Sequence, residues 1–572
     1  MATPAFFDSL GSALIAEEKR SLFSPRCISD IMWAHAVGRH TNTLLFDKLN
    51  SFTVDNLLKF SPDQMSTVLW ANASLENSHQ KGQECTALFK AVADSPFPKL
   101  KGFDIRQLQQ IAWSFTTVQV PAPRLLKAVG DELITRKLDD VPMDALSDIM
   151  LAISKLSGVF SCPHVMSKVA IHLLGRDLNA IDSSDLRSLC EILVSFGGSD
   201  TTTLPAYENL FAKSVILFNS VKMEGVSAEL MCDVVWAYYK TGQSAKFPSL
   251  LHTVSHQLAV RDLSTLPTSS LLHALWSLSV SGFIPAPGLS LHEKIGTQIL
   301  SRPLQELSVR DMVVLLYSYT ASGVKNGELT NLVAREALKR DVKSFDIFAC
   351  SNAAWALIFS QNENDHTYKL INNLLERAAK ILTEEVNPLD TEDSLVPVSV
   401  SQLQQVMVEL SLRADRMRLN SKGIVAPPMM LKTLLVDKLS ALKSNEEAKL
   451  FEKEIDSLSA YLKELDVQHC CYQTETRTGY TLPIVLPALK KVIAIIGKGD
   501  FYLGSTKLKF TSSVLFRHLT ALGMDVVIIP SWEWRQLIAK DSKRDIKLYL
   551  LKRILKNLAV DDSKVSAPLS IR

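Results

Sequence analysis

Near its carboxyl end the chain gathers side chains whose chemistry suits a polyanion. Lys498, Lys507, Lys509, Arg517, His518, Lys540, Lys543 and Arg544 fall in one short stretch, with Trp532 and Trp534 among them. Ammonium and guanidinium groups contact phosphate oxygens and release condensed counterions, and an indole face stacks on an unpaired base. From Tyr480 to Lys556 there are 14 Lys and Arg against 5 Asp and Glu. The whole chain carries only +2, so residues 1–479 hold about seven excess negative charges. The basic character is therefore local, and a polyanion would feel the carboxyl end first. The plainer reading is that Lys540, Lys543, Arg544, Lys547, Lys552, Arg553 and Lys556 line the solvated face of a terminal helix.

Motifs for catalysis are weaker. Gly497-Lys498-Gly499-Asp500 lacks the Gly-x-x-x-x-Gly-Lys-Ser/Thr spacing of a phosphate loop and reads as a turn that ends a strand. There is no kinase set of Gly-rich loop, His-Arg-Asp and Asp-Phe-Gly. His469-Cys470-Cys471 reads as a loop pair with no third ligand. The eight cysteines (Cys27, Cys85, Cys162, Cys190, Cys232, Cys350, Cys470, Cys471) are scattered, with neither zinc-ligand nor disulfide-framework spacing. A reducing compartment is the default. No catalytic residue, metal or cofactor is assigned.

The elements that must hold the cations follow from pattern. Thr481–Leu486 and Val492–Ile496 read as strands, Ser512–Leu522 as a helix closed by Gly523, and Asp525–Ile529 as a third strand ending at Pro530. The order β-β-α-β, followed by a basic helix, is that of a small α/β unit with a partly parallel sheet. If Trp532-Glu533-Trp534 were extended, the two indoles would point to opposite faces, so one could be core while the other stacks on a base. Core for both is the simpler expectation.

Ahead of this unit the periodicity is helical and repeats. Trp33, Trp70, Trp113, Trp236, Trp276 and Trp355 share one local frame, with Leu151, Leu193 and Tyr317 in the same place in weaker copies. Successive anchors lie 37, 43, 38, 42, 43, 40, 41 and 38 residues apart, the length of a helix pair with two turns. Leu108, Ile111, Ala112 and Phe115 follow helical spacing, and Ser61-Pro62-Asp63-Gln64 and Ser308-Val309-Arg310-Asp311 read as N-caps. The expected fold is mainly α: an α-solenoid of stacked helix pairs with the indoles wedged into its core, then the small α/β domain. Base-stacking platforms are the sharper reading of the indoles, but their apolar, small neighbours favour a buried stripe, which argues fold rather than function.

The expected boundaries are an N-terminal segment (1–26), the helical array (27–420), connecting helices (421–479), the α/β domain (480–556) and a tail (557–572). Glu384–Ser401 reads as an acidic, proline-containing loop before a degenerate unit around Val406, and Met429–Leu465 as one or two amphipathic helices. Lys19, Arg20 and Arg26 suit an organellar targeting segment, but Asp8, Glu17 and Glu18 do not. Apolar residues make up 47% of the chain, yet no uninterrupted apolar run nears the roughly 20 residues that cross a bilayer. No membrane insertion is expected.

Gly504-Ser505-Thr506, the helix with Leu515-Phe516-Arg517-His518-Leu519, then Leu522-Gly523-Met524-Asp525-Val526-Val527-Ile528-Ile529-Pro530 and Trp532-Glu533-Trp534 resemble the RAP domain, an RNA-binding module. With heptatricopeptide-like helical repeats ahead of it, the chain is similar to the Fas-activated serine/threonine kinase family and to the organellar RAP proteins of apicomplexan parasites. The resemblance implies a restriction-endonuclease-like α/β fold, a place in the mitochondrial matrix, and action on ribosomal RNA or organellar transcripts. It also implies a metal site of strand carboxylates in nuclease relatives. This chain departs from that pattern, with Pro483, Ala494 and Ile496 where acids are common and Asp500 where a His is common. Apolar side chains neither hold magnesium nor orient water, so a non-catalytic RNA binder is expected. The alternatives are a mitochondrial ribosome subunit that scaffolds mainly through ribosomal proteins, and a metal-dependent RNA nuclease.

Overall fold

The computed structural model describes residues 4–16, 23–76, 83–95, 100–156, 162–178, 181–198, 205–221, 223, 225–283, 291–360, 364–384, 395–416, 451–503, 505–540 and 542–554. These are mostly helical, with one four-stranded sheet near the carboxyl end. The chain divides into two compact units, Met1–Ala274 and Leu275–Arg572.

The first unit is built from helices α1 (Pro4–Ala16), α2 (Pro25–Val37), α3 (Thr43–Asp55), α4 (Pro62–Glu76), α5 (Gln83–Asp94), α6 (Ile105–Val118), α7 (Pro123–Leu133), α8 (Met143–Leu156), α9 (Pro163–Gly175), α10 (Ser183–Gly197), α11 (Pro205–Val221), α12 (Ala228–Lys240), α13 (Pro248–Val260) and the start of α14 (Thr268–Ser281). They form two layers. Helices α2, α4, α6, α8 and α10 each pack on the next even-numbered helix, while α1, α3 and α5, and then α7, α9, α11 and α13, stack alongside. Each hairpin buries its apolar faces only against its neighbours, as the repeat length requires.

The helix starts follow side-chain chemistry. Gln64 N–H donates to Ser61 Oγ (3.3 Å) while Ser61 N–H donates to Gln64 Oε1 (3.0 Å). Asp104 with Gln107 and Ser308 with Asp311 make the same reciprocal cap. Pro25, Pro123, Pro163 and Pro248 open α2, α7, α9 and α13, where the missing N–H costs nothing.

The repeat register lands on one element of each hairpin: every anchor from Trp33 to Trp355 lies on an even-numbered helix. Its burial differs from the expectation. In α12, residues 231, 232, 234, 235, 237 and 238 are buried, whereas Asp233, Trp236 and Tyr239 form a half-open stripe. Trp70, Trp113 and Trp276 occupy the same half-buried place, Trp33 is 52% exposed, and Trp355 alone of the six is in the core. The reason is steric. Close packing of even helices on both sides and of the second layer behind selects Leu, Val and Ala at most of the innermost positions, and the other five indoles sit toward the margin. There it meets the next repeat: Trp236 stacks on His273 at 4.5 Å in the first unit, and Trp276, Tyr317 and Trp355 follow one another at 5.2 and 5.3 Å in the second.

The second unit continues with α15 (Leu291–Leu300), α16 (Val309–Ser322), α17 (Gly327–Ala337), α18 (Ile347–Phe359), α19 (Asp365–Glu384) and α20 (Leu395–Arg416). Here α16 packs on α18, α18 on α20, and α17 on α19. Helix α20 begins inside the segment expected to be a loop. Pro397 does not prevent this, because it falls in the first turn, where no backbone donor is needed. Residues 385–394, and Leu434, Leu435, Leu439, Leu442 and Leu450 of the expected amphipathic helices, lie outside the described residues.

The α/β module starts before Tyr480. It contains α21 (Glu452–Glu464), strands β1 (Cys470–Thr474), β2 (Thr481–Leu486) and β3 (Lys491–Ile496), helix α22 (Phe510–Ala521), strand β4 (Asp525–Pro530), and helices α23 (Ser531–Ala539) and α24 (Lys543–Ile554). The sheet order is β1-β2-β3-β4, with β1–β2 and β2–β3 antiparallel and β3–β4 parallel. The parallel pair runs in register from Lys491↔Asp525 to Ile496↔Pro530, and α22 makes the crossover it needs. Cys470 and Cys471 are therefore on an exposed edge strand and not in a loop. One sheet face packs Ile484, Ile493, Ile495 and Ile529 against Ile455, Leu458 and Leu462 of α21, Trp534, and Ile546 and Leu550 of α24. A second apolar cluster brings Leu482 and Val492 together with Leu519 of α22 and with Val408 and Leu412 of α20. That second cluster joins the array to the module.

Candidate nucleic-acid interface

Two devices fix the module on the preceding helices. The first is a buried polar cluster around Glu409 of α20, whose side chain is 6% exposed. Its carboxylate accepts from Arg413 Nε (2.9 Å), Arg517 NH2 (2.9 Å) and His518 Nε2 (3.1 Å). The Tyr480 hydroxyl lies 2.8 Å from His518 Nδ1, with the two rings nearly parallel. Burial alone would raise the Glu409 pKa, but the hydrogen bonds from His518 and Arg413 and the charge of Arg517 hold it well below the usual carboxylate range. Burial pushes the Tyr480 phenol far above its ordinary value. The arrangement joins an acid, an imidazole and a hydroxyl, and its imidazole, His518, is 0% exposed.

The second device is the turn after β3. Asp500 organises it: Oδ2 accepts from Gly497 N–H at 2.9 Å and Oδ1 from the Ser512 hydroxyl at 3.0 Å. The turn then docks on two helix ends. Gly282 (φ +79°) and Gly323 (φ +69°) sit in the left-handed region that glycine favours, just past α14 and α16. Leu503 N–H donates to Gly282 O (2.9 Å), Lys509 Nζ to Val280 O (3.3 Å), and the Tyr502 hydroxyl to Ala321 O (3.3 Å). These donors satisfy carbonyls that a helix C-terminus leaves unpaired, and the Lys509 ammonium also complements the negative end of the α14 dipole. Burial lowers the Lys509 pKa, with Asp500 opposing.

The expected contact residues thus separate. His518 is withdrawn from any solvent-borne ligand because it is buried in the Glu409 cluster. Lys509 is half-buried and engaged by α14. Arg517 keeps 40% side-chain exposure, but its guanidinium is held by Glu409 and lies 4.9 Å over the Phe359 ring. Lys543 meets Glu464 across an exposed 3.3 Å contact, worth little in solvent. Lys498, Lys507, Lys540 and Arg544 are exposed and have no carboxylate partner among the described residues. Lys547 and Lys552 share that character along α24, whose Ile546, Leu550 and Ile554 face inward at fourfold spacing. Trp532 and Trp534 are on a helix and not on an extended segment. Trp534 is fully buried against Tyr461 (5.9 Å), whereas Trp532 is half-buried, edge-on to Phe501 at 5.4 Å.

Scanned against known protein families the sequence matches none, and no characterised protein is significantly similar to it.

Trp532 and Phe501 line a cleft of about 900 Å³ that sequence reasoning did not find. Its other walls come from Gly323–Asn326 after α16 and from Ser505–Leu508 of the docking turn, which no local pattern could bring together. Inside, the Glu533 carboxylate accepts from Arg553 (2.8 Å) and the Tyr549 hydroxyl (2.9 Å). The strand positions expected to lack nuclease acids carry buried Ala494 and Ile496. Among the described residues no group of three or more His, Cys, Asp or Glu is placed to hold a metal ion. None of the described helices is long and apolar enough to cross a membrane.

Proposed function

We propose that the chain is a non-catalytic RNA-binding protein whose basic α/β module, a RAP domain by sequence resemblance, grips the phosphate backbone. The helical array, an α-solenoid in this reading, serves to hold and present the module. The observation that carries the proposal is the set of exposed cations on the module that have no carboxylate partner among the described residues: Lys498, Lys507, Lys540, Arg544, Lys547 and Lys552. They stand against an array with about seven excess negative charges over residues 1–479. A chain that gripped RNA along its whole length would not concentrate its positive charge at one end. From the same resemblance we propose a place in the mitochondrial matrix and action on ribosomal RNA or organellar transcripts.

The acidic array favours a second version, in which it docks to proteins of a mitochondrial ribosome and only the module touches RNA. Filter binding of single-stranded RNA over a salt series tests the first claim. Affinity should fall steeply with salt, and a combined Lys498→Ala, Lys540→Ala, Arg544→Ala variant should show a slope shallower by about two to three. A flat salt response would refute phosphate-dominated binding. Co-sedimentation with ribosomal particles, against recovery at the top of the gradient, separates a subunit from a free factor.

A further inference from the structure

We infer that the cleft between the end of α16 and the α/β module is a binding site for one nucleotide unit, holding a base beside Trp532 and its phosphate at Lys325 and Lys507. This deepens the RNA-binding reading and rests on it for the source of the nucleotide.

Three observations converge. The cleft, about 900 Å³, is within the range that takes cofactor-sized ligands. Its charge is positive: Glu533 is neutralised by Arg553 at 2.8 Å, whereas Lys325 and Lys507 are exposed at the rim and have no ion-pair partner among the described residues. An anion is therefore the favoured guest. Its walls are also aromatic, with Trp532 and Phe501 on the module side and Phe359 on the helical side. A planar base next to an indole, with its phosphate beside lysine ammonium groups, accounts for both features together. A phosphorylated side chain would use the cations but leave the aromatic wall without a role, and a protein phosphate site is more often built from clustered arginines. Ser505 and Thr506 add hydroxyl groups at the same rim, suited to ribose or phosphate oxygens.

The walls are held rigidly enough to act as a site. Tyr502 N–H donates to Lys507 O (2.9 Å) and closes the turn that carries Ser505 to Lys507, and the Tyr502 hydroxyl fixes the turn on α16 through Ala321 O.

The experiment uses the full chain and three probes: adenosine 5′-monophosphate with uridine 5′-monophosphate, inorganic phosphate, and a short single-stranded RNA. Calorimetry measures the mononucleotides and phosphate, and fluorescence anisotropy measures the RNA. The expected result is mononucleotide binding that weakens about tenfold or more in Trp532→Ala and in Lys507→Glu, is restored by Trp532→Phe, and exceeds binding of inorganic phosphate. RNA affinity should fall about tenfold in Trp532→Ala with an unchanged salt slope. Lys507 is exposed, so its variant keeps the test valid if the indole variant misfolds. Mononucleotide binding without RNA binding upholds the site, assigns it to a free nucleotide, and overturns the RNA-binding function. RNA binding lost in the Lys498, Lys540, Arg544 variant but unchanged in Trp532→Ala and Lys507→Glu upholds that function and overturns the site. Equal binding of inorganic phosphate and mononucleotide overturns it as well.

Discussion

Replacing Glu409 by Ala should loosen the module from the array more than any surface change. The carboxylate is the shared acceptor for Arg413, Arg517 and His518, two of which are nearly inaccessible: the Arg413 side chain is 12% exposed and His518 is 0% exposed. Removing it leaves a guanidinium without its anion beside α20 and a buried imidazole without its acceptor. Breaking a buried pair in this way costs about 3–5 kcal/mol, whereas an exposed pair such as Lys543–Glu464 contributes at most about 1 kcal/mol. At about 2 °C per kcal/mol for a unit of a few hundred residues, the melting midpoint of the second unit should fall by roughly 6–10 °C. The pH dependence has a definite direction. Because the folded Glu409 pKa is held below its unfolded value, the stabilisation is complete above the ordinary carboxylate pKa of about 4.3 and drains away as pH falls below it. Amide exchange of the 510–521 and 395–416 peptides, followed by mass spectrometry, separates local release from global unfolding. Unchanged exchange in both peptides, together with an unchanged melting midpoint, would show that apolar contacts alone hold the interface and that the cluster is an onlooker. A double-mutant cycle with Arg413→Ala should be strongly non-additive, since the second substitution removes the cation that the first left unpaired.

Other outcomes follow from the same geometry. Trp534→Ala should cost about 3–5 kcal/mol in denaturant unfolding, because the indole is fully buried in the module core, while Trp532→Ala, at a half-buried position, should cost clearly less. His292 is buried, with Nε2 within 3.2 Å of the Ser279 hydroxyl and 3.0 Å of the Ser322 hydroxyl, and burial lowers its pKa to about 4. Its neutral form therefore contributes on the order of 3 kcal/mol, present above about pH 6.5 and lost as pH falls toward 4. A His292→Gln variant should flatten that part of the stability profile, and an unaltered profile would assign it to other groups. Gly282→Ala should cost about 1 kcal/mol or more, since the position has φ +79° and the added methyl meets the Lys509 side chain. Faster exchange confined to residues 500–509 would be its signature.

The strands, the crossover helix and the helix pairs were legible because each is written in a local period. Val492–Ile496 is apolar at every position and proves to be a strand buried on both faces, paired with β2 and β4. The caps at Ser61 and Ser308 were legible for the same reason, being decided by residues three apart. What went astray needed distance. His518 reads as one more cation until a carboxylate 109 residues away in sequence is found beside it. The edge strand β1 has every residue exposed and hence no alternation to reveal it; only its pairing with β2 makes it a strand.

By itself, then, the sequence determined the helical hairpins, their repeat length, the β-β-α-β core and the concentration of positive charge at one end, all properties set by neighbours within a few turns of chain. Tertiary structure alone decided which cations stay free. Burial and long-range pairing withdrew His518 and Lys509, occupied Arg517 and left Lys498, Lys507, Lys540 and Arg544 in solvent, because a charge taken out of water must find its partner wherever the fold brings one. It also set Trp33, Trp70, Trp113, Trp236 and Trp276 toward the margin of the helical layer, where smaller Leu, Val and Ala side chains fill the close-packed interior, and took only Trp355 of the six into the core.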